Sequence, residues 1–153
     1  MINMQLNLQI GESLKCPQDL GAIGLGDASI LDALSQFDPY GAWRLDVETG
    51  LTNWTRDSFV IHDMPYTAGP VDVLTAIKAY HPDDRAIVHQ CIEEALAKKT
   101  GFRYVLRLGK SSENCKLVKS TGIYRENKSG KPELYGTFSQ FQPPIRSIAF
   151  GSD

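Results

Sequence analysis

"GAWRLDVETGLTNWT", residues 41–55, decides the fold. Two short runs, "AWRLDV" at 42–47 and "LTNWT" at 51–55, are rich in aromatic and β-branched residues, and Glu48, Thr49 and Gly50 supply a turn between them. The stretch reads as a β-hairpin. An isolated hairpin is marginal in water, so the rest of the chain must complete its sheet. After Lys98, Lys99, Thr100 and Gly101 the apolar period becomes two. "FRYVLRLG" at 102–109 puts Phe102, Tyr104, Leu106 and Leu108 on one side and Arg103, Val105 and Arg107 on the other. "CKLVKSTGIYRE" and "ELYGTFSQFQ", separated by the turn "NKSGKP", are two further strands. Three sequential strands with short connections predict an antiparallel meander with the first hairpin beside it.

Between hairpin and meander the spacing is helical. "RDSFVIHDM" has room for one or two turns, "PYTAGP" interrupts, and an apolar-periodic stretch follows from Val71 to Ala79. "YHPDDRAIVHQCI", residues 80–92, gathers two histidines, two aspartates and a cysteine, and it reads as the start of a longer helix. Pro82 suits the first helical position, Asp83 and Asp84 meet the positive end of the helix dipole, and His81 falls at the cap. Ile87, Val88, Cys91, Ile92, Ala95 and Leu96 form one buried face, whereas Arg85, His89 and Glu93 are spaced by four in a separate polar row. No three ligands converge, so no metal site is expected. The element order β-β-α-α-α-β-β-β defines an α+β domain with helices covering one face of an antiparallel sheet.

Residues 1–26 show no sustained period and read as a flexible leader. Gly24 and Gly26 lack the preceding strand and the order that a dinucleotide loop requires. Over 27–38, Asp27 can cap a helix whose residues Ile30, Leu31, Leu34 and Phe37 form an apolar stripe before the stop at Asp38 and Pro39. That stripe needs a surface to pack on.

The 153 residues, 42% hydrophobic and 22% charged, fit one globular domain. No apolar run approaches the roughly 20 residues of a membrane span, and "MINMQLNLQI" lacks a signal-peptide pattern. A cytoplasmic location follows as an expectation. Three cysteines without a CxxC pair read as free thiols. A net charge of -2 gives no broad cationic face for nucleic acid, and Lys110, Lys116, Lys119, Lys128 and Lys131 read as solvated strand edges.

With these elements in order, the sequence resembles a Per-Arnt-Sim (PAS) domain of the subgroup whose first strands read G-x-W-x-x-D-x-x-T-G followed by W-[ST]. Here those positions are Gly41, Trp43, Asp46, Thr49 and Gly50, then Trp54 and Thr55. His81, Pro82, Asp83, Asp84 and Arg85 form a second matching block, and "SGKPELYGTF" resembles the family's last turn and strand. The resemblance spans about residues 40–142, leaving 143–153 as a tail. It implies a five-stranded sheet in the order 2-1-5-4-3, cupped by helices around a small cavity, with the preceding helix on the outer sheet face. Three positions depart from the family pattern. Ser139, Gln140 and Phe141, then Pro143 and Pro144, replace the Asp-Ile-Thr that leads to an output domain. The glycine that normally follows the first short helix is replaced around His62 and Asp63, and Lys116, Leu117 and Val118 replace the tryptophan of the fourth strand.

The resemblance implies a sensory, bacterial-type signalling protein that is not an enzyme. It is expected to bind a small ligand or a partner protein and to act in trans as a homodimer, with Ile30, Leu31, Leu34 and Phe37 at the dimer contact. Val88, Cys91, Ile92, Tyr104, Leu106 and Phe138 are the candidates for the pocket wall. No cofactor is required by the residues. "DMPYTAGPVDV" holds no cysteine for flavin-thiol chemistry, and His89 is the one candidate haem ligand, by its place on the long helix. Two other readings stay open: a ligand-free interaction and dimerisation module, and a small cone-shaped α+β isomerase-like enzyme, which would need a buried carboxylate or histidine with a shifted pKa.

Overall fold

The computed structural model describes residues 5–8, 14–111 and 115–152. Parts of the leader, residues 1–4 and 9–13, therefore lie outside the described residues. Within 14–26 there is a single 3-10 turn, Gly21–Ile23, ahead of α1 (Asp27–Leu34). Then follow β1 (Tyr40–Asp46), β2 (Leu51–Trp54), α2 (Arg56–Ile61), β3 (Val71–Asp72) and α3 (Val73–Ile77). A 3-10 turn, Pro82–Asp84, leads into α4 (Arg85–Lys98), and β4 (Gly101–Leu108), β5 (Lys116–Glu126) and β6 (Pro132–Gln140) complete the chain.

Among the described residues the strands form one antiparallel sheet in the order β3-β2-β1-β6-β5-β4. Five of them reproduce the expected order. The sixth corrects the expected count: Val71 and Asp72 pair with Thr52 and Leu51 before the chain turns into α3. Asp72 ends this strand because its carboxylate accepts hydrogen bonds from the Leu74 and Thr75 amides, capping α3.

Strand register places side chains in rows across the concave face. Tyr104, Ser120 and Phe138 are successive partners across β4, β5 and β6. The next row runs Phe102, Gly122, Gly136, Trp43, Trp54. Its two glycines let neighbouring rings lie flat on the sheet: a Cβ on Gly122 would stand 2.5 Å from Phe102 and 2.8 Å from Trp43. Gly136 is needed for close strand approach, since a Cβ there would meet the Thr121 carbonyl group.

The helical connections close the other side. Val88 and Ala95 of α4 are buried against the sheet, with Ile87, Cys91, Ile92 and Leu96 packed around them. The link from α3 to α4 is tied to the edge of β4 by Tyr80 bridging Leu108, by the His81 amide donating to the Arg107 carbonyl (2.9 Å), and by the Gly109 amide donating to Ala79. His81 caps the following turn as expected, its Nδ1 accepting from the Asp83 amide. Asp84 departs from its expected role at the helix start. It is buried and grips Arg107 through both carboxylate oxygens, at 2.7 and 3.0 Å, while also accepting the Arg107 amide. Lys116 likewise is no solvated edge residue: its ammonium donates to the Val60 and Ile61 carbonyls and to Asp63, where α2 ends and needs a cation. Asp63 itself takes the left-handed conformation (φ 53°) that a glycine favours.

α1 ends at Leu34, so Phe37 lies beyond the helix rather than on it. No residue of α1 is buried: Ile30 and Leu31 are partly covered, and Leu34 and Phe37 are exposed.

Candidate functional site

Between the concave sheet face and the helices lies a cavity of about 50 Å³. Aromatic rings make most of its wall. Trp43 stacks on Phe138 (5.8 Å between centroids) and on Phe102 (6.1 Å), Phe102 stacks on Tyr104, and Trp54 stacks on the His62 ring at 4.5 Å. Both tryptophans of the chain line this space. Leu45, Val73, Ile77 and Ile92 close its other end.

One wall is polar. His62, at the C-terminal cap of α2, points inward because it stands four residues after Ser58 and three after Phe59, both fully buried. Its Nδ1 lies 2.7 Å from the Ser58 carbonyl oxygen. A carbonyl oxygen only accepts, so Nδ1 carries the proton and Nε2 is left as an acceptor. Nε2 lies 3.2 Å from the Tyr80 hydroxyl, which therefore donates to it, and the Tyr80 oxygen in turn accepts from the Tyr104 hydroxyl. Ser120 is the cross-strand partner of Tyr104, and its Oγ completes no hydrogen bond among the described residues.

The electrostatics agree with a neutral chain. Burial pushes the His62 pKa down from 6.5 to about 4, against the opposing effect of the Ser58 carbonyl, so the ring is uncharged at neutral pH. Burial pushes both phenols up, Tyr80 helped by its coupling to Tyr104, so both remain protonated donors.

Of the residues expected at the pocket, Val88, Ile92, Tyr104 and Phe138 line the cavity. Leu106 and Cys91 do not. Leu106 belongs to the neighbouring row with Val118, one pleat period away from Tyr104, and both are packed core. Cys91 packs at the partly covered flank of α4, where burial raises its thiol pKa. His89 is exposed and lines a separate surface groove of about 230 Å³ with Glu93 and Leu96. The histidine that does face the cavity is His62; its Nδ1 is protonated and the single ring lone pair, on Nε2, accepts from Tyr80. Among the described residues no group of three or more His, Cys, Asp and Glu side chains could hold a metal ion, and no helix is long and apolar enough to cross a membrane.

Sequence reasoning missed His62, Tyr80 and Ser120. For His62 the only local signal is its spacing from Ser58 and Phe59 in a helix too short to show a period. For Ser120 it is the alternation of β5, which turns a hydroxyl toward the core side.

No family model and no curated protein matches the chain. Solved structures do. A domain assigned to a light and redox sensing histidine kinase of Haloarcula marismortui superimposes with a TM-score of 0.58 at 13% identity, over 76% of this chain and 100% of that one. A sensory box histidine kinase/response regulator of Burkholderia thailandensis gives 0.53 at 18% identity, over 75% and 84%. The N-terminal domain of a diguanylate cyclase with PAS/PAC sensor from Marinobacter aquaeolei gives 0.55 at 13% identity, over 66% and 94%. What is shared at such identities is the fold. The chain is an α+β protein with the PAS-domain fold, as the motifs at Gly41–Gly50 and His81–Arg85 imply.

Proposed function

We propose that this chain is a sensory signalling domain that takes a small molecule into its aromatic cavity and relays its occupancy through a homodimer to a partner protein. The observation that carries the reading is the polar wall. A core evolved only for packing gains nothing from a fully buried hydroxyl without a partner, which costs about 1–3 kcal/mol. Ser120 Oγ is such a group, and it stands on the cavity wall. The PAS fold, found in the sensor proteins named above, supports the same reading by analogy.

The domain acts without catalysis. His62 is buried with a depressed pKa, the property a general base needs, but its only basic nitrogen is occupied by Tyr80. The two phenols are held protonated, and among the described residues no carboxylate lines the cavity.

Dimerisation is assigned to the segment around α1, because Leu34, at the end of a short helix that cannot be stable alone, and Phe37, just beyond it, present 45% and 58% of their surface to solvent. The same exposed residues favour the second reading, a ligand-free interaction module. Native mass spectrometry of protein purified from cells, set against its denatured mass and an absorption spectrum, separates the two. A non-covalent extra mass supports the sensor, and a bare dimer moves the weight to the interaction module. A Soret band would show bound haem and bring His89 back as its candidate ligand.

A further inference from the structure

β4 is an edge of the sheet, and its outward backbone groups can be identified. The Tyr124 amide donates to the Thr100 carbonyl, and these two residues continue the β4–β5 register by one step. Even-numbered residues of β4 therefore turn their N–H and C=O toward β5, and odd-numbered ones turn them outward. Arg107 agrees: its amide donates to Asp84 and its carbonyl accepts from the His81 amide. Val105 faces the same way two residues earlier, and neither its N–H nor its C=O has a partner among the described residues. A row of such groups is a template for one more strand.

The template has an apolar roof. Asp84, just ahead of α4, grips Arg107 near the end of β4, and Thr100, just after α4, leads into the start of β4, so the helix runs back along this strand. His89 and Glu93 mark the flank of α4 that faces Leu45, Val73 and Ile77. Ile87 and Cys91 are one turn apart on the opposite flank, toward the free edge, and both are only half-buried.

A matching strand is present in the leader. Ile2, Met4, Leu6, Leu8 and Ile10 alternate strictly with Asn3, Gln5, Asn7 and Gln9, which corrects the reading of this segment as one without a period. One side is wholly apolar, the other is amide, and no residue of 1–10 is charged. Leu6 and Leu8 are 62% and 85% exposed, so they do not lie against their own chain. Leu14, however, packs at the foot of β4, where a Cβ on Gly101 would stand 3.2 Å from its side chain. From there back to Leu8 is six residues, about 20 Å of extended chain, enough to cross to a neighbouring β4. Each copy thus carries a strand and an edge side by side, and a twofold exchange satisfies both.

We infer that the occupant of the β4 edge is a second copy of this chain, whose leader strand centred on Leu6 and Leu8 pairs antiparallel with the backbone at Val105 and covers Ile87 and Cys91. This rests on the homodimer of the reading above and adds to α1 a contact that α1 does not make.

The test is backbone amide hydrogen exchange by NMR, together with the dimer dissociation constant from sedimentation, on the full chain. In the wild-type dimer the Val105 and Leu8 amides should exchange slowly, and both should lose this protection on dilution to monomer. Leu8→Lys alters an exposed side chain and leaves the monomer folded; it should weaken the dimer about tenfold to a hundredfold, the worth of one buried leucine, and expose the Val105 amide. Val105→Pro removes the outward N–H at a place where an edge strand tolerates proline, and it should weaken the dimer and expose the Leu8 amide. Protection of Val105 that persists in the monomer overturns the second copy as occupant in favour of the chain's own leader. A dimer that neither variant weakens, with Val105 exchanging freely, overturns the edge pairing and leaves the homodimer to α1. A protein that is monomeric at every concentration, with no protection at Val105, overturns the homodimer together with this inference.

Discussion

Mild acid should destabilise this protein through one residue. His62 is 4% exposed, with a folded pKa near 4 against 6.5 in an unconstrained chain. The folded state thus disfavours the charged ring, and between these two values the unfolded chain binds the extra proton. The stabilisation is complete above pH 6.5 and is lost as the pH falls from there toward 4. Each pH unit inside that window costs about 1.4 kcal/mol, so the drop from pH 6.5 to pH 5 removes about 2 kcal/mol, a large share of the stability of a small domain. Asp84 does not blur the result. Burial pushes its carboxyl up, but the hydrogen bonds and charge of Arg107 outweigh that and hold it below the ordinary carboxylate range, so its own loss comes at lower pH. The assay is urea unfolding followed by circular dichroism at pH 7 and pH 5, on the wild type and on His62→Gln, which carries no titrating ring. The variant should be weaker at pH 7 but nearly indifferent to the change in pH. A wild type equally stable at both pH values, or a His62→Gln protein that loses as much as the wild type, would refute the argument that burial holds this ring neutral.

Gly122→Ala places a methyl group against the ring edges of Phe102 and Trp43 and pushes them into the cavity. The expected cost is about 1–3 kcal/mol in urea unfolding. Asp84→Asn keeps the shape but removes the charge that binds Arg107 through two oxygens; because Arg107 is partly solvated, about 2 kcal/mol should be lost, read from the urea midpoint. Deleting residues 1–38 should give a monomer or an aggregating protein by light scattering, and an unchanged dimer would remove the proposed role of α1.

The elements were legible because their signals are local. The alternation of 102–108, the turn at Glu48, Thr49 and Gly50, and the proline and cap at residues 81 and 82 act within a few residues of themselves. Pairing within that sheet was legible too, since short connections leave few ways to join the strands. A two-residue strand such as Val71–Asp72 has no period to read, and it forms only because β2 offers it an edge.

The site is of the other kind. His62, Tyr80, Tyr104 and Ser120 are far apart in the chain and meet only through the sheet register and the tie between Tyr80 and the edge of β4. Tyr104 and Leu106 lie on the same side of the same strand and are indistinguishable by periodicity, yet one row faces a cavity and the next faces packed side chains. His89 and His62 are likewise equal as letters. By itself the sequence determined a curved antiparallel sheet under helices, because alternation and turns are properties of neighbouring residues. Tertiary structure decided which histidine is buried, which hydroxyl lacks a partner and where the cavity opens, because burial and hydrogen-bond direction depend on groups that only the folded chain brings together.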